Sequence, residues 1–282
     1  MKSLFADRIN KGGKEADSKD GLVLGRQLAI EYYKCSPNAL TRADRVEASL
    51  IKAANESNAR IVSSSFHKFS PQGVSGVVVI AQSHFTIHAW PEHDYAAVDI
   101  FVCDDCIDLE TAVNSMQASF GAENVVISSD LNRGIVPRAV EHRELGEMIE
   151  NPDISPISWE KTYKQTTPWG VSTLVDIYSS DPELISSPAE IEKFACDTGC
   201  QLGCKRLGKC RIMPFVNGHG FEGVTMTQLF ETAALSGYFV SGAESVYLDL
   251  FSCTFYEPRE FAACATAFFK GRSYRMQMSV RQ

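Results

Sequence analysis

Three side chains capable of proton transfer or nucleophilic chemistry fall within twenty-one residues of one another: Ser83, His88 and Cys103. They lie in the stretch Gly73 to Asp104, GVSGVVVIAQSHFTIHAWPEHDYAAVDIFVCD, with Ser75, His84, Trp90 and Glu92. Imidazole is the side chain whose ordinary pKa sits near neutrality, and a thiol at about 8.5 can give up a proton when positioned. A metal held by His84 and His88 is the competing chemistry. On a strand, residues four apart stand about 13 Å from each other at roughly 3.3 Å per residue, too far to share one ion. Thr86, Ile87 and the following Trp-Pro oppose the helix that would bring them together, so no metal is expected.

The surrounding sequence reads as strand. Val77 to Ile80 is an apolar β-branched run, and Phe85 to His88 and Ala96 to Val102 again favour strand. In one unbroken strand Ser83, Phe85 and Ile87 share one face and His84, Thr86 and His88 the other. Ser83 and His88 meet only if the chain kinks at Gln82-Ser83, so a strained junction is expected there.

Upstream, Leu22 to Tyr33 is a first strand, Ser36-Pro37-Asn38 a turn, and Thr41 the cap of a helix carrying Val46, Leu50 and Ala53. Arg60 to Phe69 is a strand, followed by a Ser70-Pro71-Gln72-Gly73 turn. Downstream, Asp108 opens a helix that Gly121 stops, and Asn124 to Ser129 closes the unit. Residues 135–168, with four prolines and many charges, form a connector with a short helix around Glu141 to Glu150.

The pattern then returns. GVSTLVDIYSSDPEL parallels GRQLAIEYYKCSPNAL, GFEG parallels GVSG, and DLFSC parallels DIFVC. Ser187-Pro188 opens a helix to about Leu207, Glu257 to Gly271 is a second helix ended by glycine, and Tyr274 to Val280 is a last strand. A fixed order of matching elements marks a duplication. At an offset of 147, Ser83 faces Phe230, His88 faces Leu235 and Ser75 faces Glu222, so the second copy is read as degenerate, with only Cys253 retained opposite Cys103, at the offset of 150 that aligns DLFSC with DIFVC. Cys196, Cys200 and Cys204 face Ser49, Ala53 and Ser57 at that offset and are read as small residues in close helix-to-sheet packing rather than as metal ligands.

The blocks FHKFSPQGVSG, SHFTIHAWPE and YAAVDIFVC closely resemble the bacterial and archaeal S-adenosylmethionine decarboxylases, over about residues 21–134. The resemblance implies a pyruvoyl cofactor made from Ser83 by cleavage between Gln82 and Ser83, through an N-to-O acyl shift and β-elimination. The cofactor forms a Schiff base with the substrate amine and accepts the electrons released with carbon dioxide. It implies further that His88 is the processing base, Ser75 its helper and Cys103 the acid that protonates the substrate carbon. Phe69 and Trp90 would stack on the adenine and Glu92 would bind the ribose hydroxyls. Most relatives have glutamate or lysine where this chain has Gln82, so the rate of processing is expected to change.

The domains expected are a disordered tail (1–20), a catalytic unit (21–134), a connector (135–168) and a degenerate copy (169–282). The fold class is α+β: each copy a largely antiparallel sheet with two helices on one face, the sheets packed as a helix–sheet–sheet–helix sandwich. Relatives of this kind are homodimers, so the chain resembles a fused pair, a pseudo-dimer that could dimerise further, whose cleaved chains stay associated. The partner implied is the small molecule S-adenosylmethionine, in spermidine biosynthesis. Two rival readings are the same chemistry on ornithine or arginine, and a regulatory subunit that does not process.

Composition is ordinary for a soluble globular protein: 282 residues, 44% apolar and 22% charged. A net charge of −8 opposes nucleic-acid binding. No apolar run approaches the roughly 18 residues of a membrane span. Nine cysteines without an export signal point to the reducing cytoplasm.

Overall fold

A computed structural model of the chain describes residues 24–68, 73–81, 83–104, 106–134, 158–166, 168–216 and 222–281. The expected tail, the helix at Glu141 to Glu150, Phe69 and Gln82 lie outside them. The chain divides into two compact units, the first holding β1–β6 and the second β7–β12.

In the first unit, β1 (Gly25–Tyr33) leads through a one-turn helix, α1 (Pro37–Leu40), to α2 (Ala43–Glu56). Then come β2 (Ile61–Lys68), β3 (Val74–Ile80), β4 (Ser83–Trp90), a 3-10 turn at Pro91–His93, β5 (Tyr95–Val102), α3 (Leu109–Phe120) and β6 (Asn124–Arg133). The six strands form one sheet in the order β2-β3-β4-β5-β1-β6, antiparallel at every seam.

Alternation along each strand sorts the side chains. Leu28, Ile30 and Tyr32 of β1, Val78 and Ile80 of β3, Phe85 and Ile87 of β4, and Val98 and Ile100 of β5 pack with Val46, Leu50 and Ala53 of α2 and Val113, Met116 and Phe120 of α3. Fully burying a leucine such as Leu50 contributes about 1.5–3 kcal/mol. The opposite parity carries the buried polar groups Gln27, Glu31, Ser75, His84, Thr86, His88 and Asp99. The greasy parity therefore holds the unit together and the other carries most of the buried polar groups, with Ser83, which shares the parity of Phe85 and Ile87, as the exception on β4.

Gly76 is required by packing. A Cβ there would lie 2.0 Å from the Phe66 ring, which covers the glycine from the neighbouring strand.

Several helix ends differ from expectation. Thr41 does not cap α2; Arg42 takes the cap position without a side-chain bond and pairs with Asp44 of the first turn, where a carboxylate suits the helix dipole. Asp108 does cap α3, accepting from the Thr111 amide at 3.0 Å, and Gly121 ends it at φ 63°.

The second unit begins with α4 (Trp159–Thr166), inside the segment expected to be a connector. It continues with β7 (Gly170–Tyr178), α5 (Pro182–Ser186), α6 (Pro188–Gln201), β8 (Arg206–Val216), β9 (Glu222–Phe230), β10 (Ala233–Val240), a 3-10 turn at Ser241–Ala243, β11 (Ser245–Ser252), α7 (Pro258–Phe268) and β12 (Ser273–Arg281). Its sheet order, β8-β9-β10-β11-β7-β12, repeats that of the first unit element for element.

Helix α6 stops at Gln201, short of Leu207, because Gly203 turns left-handed at φ 65° and its amide bonds back to Cys200. Helix α7 ends at Phe268, and the left-handed residue after it is Lys270 rather than Gly271.

Strand register replaces the offset of 147. The β3–β4 hairpin and the β9–β10 hairpin superpose with Ser83 on Ala233, His88 on Tyr238 and Ser75 on Thr225. The second unit thus lacks the serine and the imidazole but retains a hydroxyl at the third position. Helices α2 and α6 start at residues 43 and 188, which sets Cys196 and Cys200 against Ile51 and Asn55. Cys200 is exposed and Cys196 half-buried, so the expected tight packing of a small-residue stripe does not occur.

Candidate active site

Strand β3 ends at Ile80 and β4 runs unbroken from Ser83 to Trp90, so Ser83 stands just after a break between two strands, while the kink expected at Gln82-Ser83 involves a residue outside the described ones. Ser83 opens the strand, opposite Ile80 on one side and Val102 on the other. His88 lies five residues on, opposite Ser75, which is about 16 Å along a strand. The candidate residues therefore form two clusters, one at each end of β4.

At the first end the Ser83 hydroxyl donates to the Phe101 carbonyl and hydrogen-bonds the Cys103 thiol. Both residues are buried. Burial pushes the thiol well up, outweighing Arg133 and the Ser83 hydrogen bond, which both pull it down. Cys103 is consequently a held proton, whereas Cys106, three residues on, is exposed.

Arg133 completes this end. Its Nη1 donates to Gln27 Oε1 at 3.2 Å, and its guanidinium lies 5.7 Å from the centre of the Phe101 ring. Burial, with help from Arg133, lowers His84 from 6.5 to about 3, so this imidazole is neutral in the fold. The sign follows from linkage. Between those values the unfolded chain binds a proton that the folded chain does not, so stability falls as pH falls, by at most about 1.4 kcal/mol per pH unit. Urea unfolding at about pH 7 and pH 5 should show a smaller loss for His84→Asn than for the parent. An equal loss in both would remove His84 as the source.

At the other end Ser75 Oγ lies 2.7 Å from His88 Nδ1. The two are cross-strand neighbours on the polar face, so backbone register alone sets their meeting. The His88 ring centre is 6.3 Å from that of Trp90, and Trp90 stacks on Tyr95 at 5.4 Å and 29°. Tyr95 donates to Glu31 Oε2, and Ser128 donates to Glu31 Oε1 at 2.8 Å. Glu92 is exposed on the 3-10 turn that follows Trp90.

Sequence reasoning missed Gln27, Glu31, Tyr95 and Arg133. The available signal was parity: Gln27 and Glu31 fall on the parity opposite Leu28, Ile30 and Tyr32 in the first strand. Their partners needed the strand order, since β1 sits between β5 and β6. Among the described residues no group of three or more His, Cys, Asp or Glu side chains could hold a metal ion. No helix among them is long and apolar enough to cross a membrane.

The family model for S-adenosylmethionine decarboxylase matches residues 26–134 and, a second time, 171–282. The S-adenosylmethionine decarboxylase proenzyme of Pseudomonas paraeruginosa is 48% identical over 113 residues, 40% of this chain and 70% of its own. The proenzyme of Acidithiobacillus ferrooxidans is 44% identical over 113 residues, 40% of this chain and 84% of its own. That of Clostridium kluyveri is 44% identical over 118 residues, 42% of this chain and 93% of its own. With both of its units matched, the chain belongs to the S-adenosylmethionine decarboxylase family, as a tandem duplication of the family's unit.

Proposed function

We propose that the chain cuts itself between Gln82 and Ser83 and decarboxylates S-adenosylmethionine, the step that provides aminopropyl groups for spermidine synthesis. The observation that carries this reading is the buried Ser83–Cys103 pair at the start of β4. A pyruvoyl group fits there. It would be smaller than the serine it replaces, and β4 stays paired to β3 and β5 on its two sides. When present, the group supplies a carbonyl that takes up the substrate amine and the electron pair left by carbon dioxide.

The chain's own residues do the rest. The Phe101 carbonyl fixes the Ser83 hydroxyl for attack on the preceding peptide carbon. Cys103 keeps its proton and stands beside Ser83, where it can protonate the carbon that loses carbon dioxide. Ser75 orients the His88 ring. Since His88 is about 16 Å from its own Ser83, it serves the Ser83 of a second copy of the chain. Tyr238 stands at the corresponding place in the second unit, which supports a base supplied by another chain. The fused pair is in this reading a pseudo-dimer that dimerises again. Nine free thiols suit a cytoplasmic setting.

Trp90, backed by Tyr95, offers its other face to the adenine, with Phe69 and Glu92 assigned to the same nucleoside. Base–aromatic stacking is worth about 1–3 kcal/mol, so Trp90→Ala should raise KM about tenfold or more while cleavage proceeds. Steady-state kinetics on the cleaved variant checks this, and an unchanged KM removes Trp90 from the site. The reading as a whole is tested by intact mass under denaturing conditions and by carbon dioxide release from S-adenosylmethionine, ornithine and arginine. Chains of residues 1–82 and 83–282, with release from the nucleoside alone, are expected. Release from an amino acid instead would transfer the chemistry to another substrate, and an uncut, inactive chain would leave a regulatory subunit.

A further inference from the structure

The corner where β7 hands over to α5 differs from its counterpart in the first unit in a way that decarboxylation does not require. The backbone frame is the same in both. The Cys35 amide donates to the Asp94 carbonyl and the Ser36 amide to that of Phe120; in the second unit the Ser180 amide donates to Glu244 at 2.8 Å and the Asp181 amide to Phe269 at 2.9 Å. Lys34 and Ser179, Asp94 and Glu244, and Gly121 and Lys270 are left-handed at matching places. On this frame the side chains have been exchanged. In the first unit Lys34 and Glu123 close the corner as an ion pair of 2.8 Å. Ser179 and Arg272 stand at those two places in the second unit, and no such pair can form. Gly121, at ease in the left-handed region, has become Lys270, whose Nζ lies 2.8 Å from Asp181. The result is an open cleft of about 790 Å³, within the roughly 300–1,000 Å³ of small-molecule sites. Asp181 and Lys270 neutralise each other in its wall. Glu183, Glu244 and Arg272 line it too; they are exposed, and among the described residues their side chains make no ion pair or hydrogen bond. The Ser180 hydroxyl lines the same cleft, and although Ser180 is only 2% exposed its Oγ has no hydrogen-bond partner among the described residues. A buried hydroxyl left this way is destabilising until a partner arrives.

We propose that this cleft binds a basic α-amino acid, a molecule with one carboxylate and two cationic groups. Arg272 takes the carboxylate, where its planar fork can make two parallel bonds. The Ser180 hydroxyl donates to the same carboxylate and so gains the partner it lacks. Glu183 and Glu244 take the α-ammonium and the cation at the end of the side chain. Charge selects the class. Once Asp181 and Lys270 are paired, two carboxylates and one guanidinium remain to be answered. A diamine would leave the guanidinium unanswered, and a neutral amino acid would leave one carboxylate so. Among the described residues the lining holds no aromatic ring on which a nucleoside could stack, so the cleft does not duplicate the site at Trp90.

The test is calorimetric titration of the full chain with L-lysine, with L-norleucine, which lacks the side-chain ammonium, and with cadaverine, which lacks the carboxylate. L-lysine is expected to saturate one site per chain. Each of the other two should bind at least about tenfold more weakly, the effect of losing one charge-assisted bond. Arg272→Gln and Glu244→Gln should each weaken L-lysine by at least about the same factor. Both side chains are exposed and unbonded, so the variants should melt at the temperature of the parent. L-lysine captured at residue 83 instead would be indifferent to either substitution. The proposal is overturned by the absence of saturable heat from L-lysine, by cadaverine or L-norleucine binding as tightly, or by an unchanged affinity in either variant.

Discussion

Ser83→Ala is expected to purify as one uncut chain that releases no carbon dioxide above background. Without Oγ nothing attacks the peptide carbon before residue 83, so no new chain end forms and no cofactor exists. The loss is therefore of the whole catalysed rate, at least about a millionfold for reactions of this order of enhancement. Folding should survive. The second unit carries Ala233 at the same place, buried at the start of β10 and paired with Ser252 of β11, so the fold already accommodates an alanine there. The hydrogen bond to Phe101 is lost at a cost of about 0.5–1.5 kcal/mol. Intact mass and a thermal melt decide the matter together. Two chains from the alanine variant, or activity from an uncut one, would displace Ser83 as the precursor.

The second large effect is a rescue. Ser83→Ala and His88→Asn should each fail to process alone, and the two produced together in equal amounts should restore about one quarter of the cleaved chain. The figure follows from symmetry. Half of randomly assembled dimers hold one chain of each kind, and of their two sites one combines the intact Ser83 of one chain with the intact His88 of the other. Asparagine can still bond Ser75, which limits disruption of the β3–β4 face. Sedimentation of the mixture checks that dimers are present. No recovery in a dimeric, folded mixture would mean that His88 acts within its own chain or not at all.

How far the sequence led can be argued from these residues. The strands were legible from their β-branched and aromatic content, and the polar face of β4 from the alternation of His84, Thr86 and His88 with Phe85 and Ile87. The Ser83–His88 separation was legible too, since an odd spacing puts the two on opposite faces, but an expected kink overrode it. What overrode correct reading elsewhere was length bookkeeping. The two copies differ in their loops and in the β8 bulge, so no single offset aligns them, and Ser75 was set against Glu222 rather than Thr225. Glu31 and Tyr95 could not be joined without the knowledge that the first strand inserts beside the fifth. Arg133 was overlooked because an arginine at a strand end is ordinarily a surface residue, whereas here only 4% of it is exposed.

The position of β1 has a consequence for the life of the molecule. In the order β2-β3-β4-β5-β1-β6, a cut before Ser83 assigns β1, β2 and β3 to one polypeptide and β4, β5 and β6 to another. The two are interleaved, β1 being clasped between β5 and β6 of its companion. While the chain is continuous, folding is a unimolecular event. After the cut, a denatured sample must thread a separate peptide back into the middle of a sheet, a step whose yield depends on concentration. In the proposed maturation the reaction that makes the cofactor also removes the Ser83 hydroxyl, so a cut protein could not be reset. Its working lifetime would then be governed by the rate at which the sheet opens rather than by an equilibrium, and proofreading of the fold would have to be finished before the first turnover.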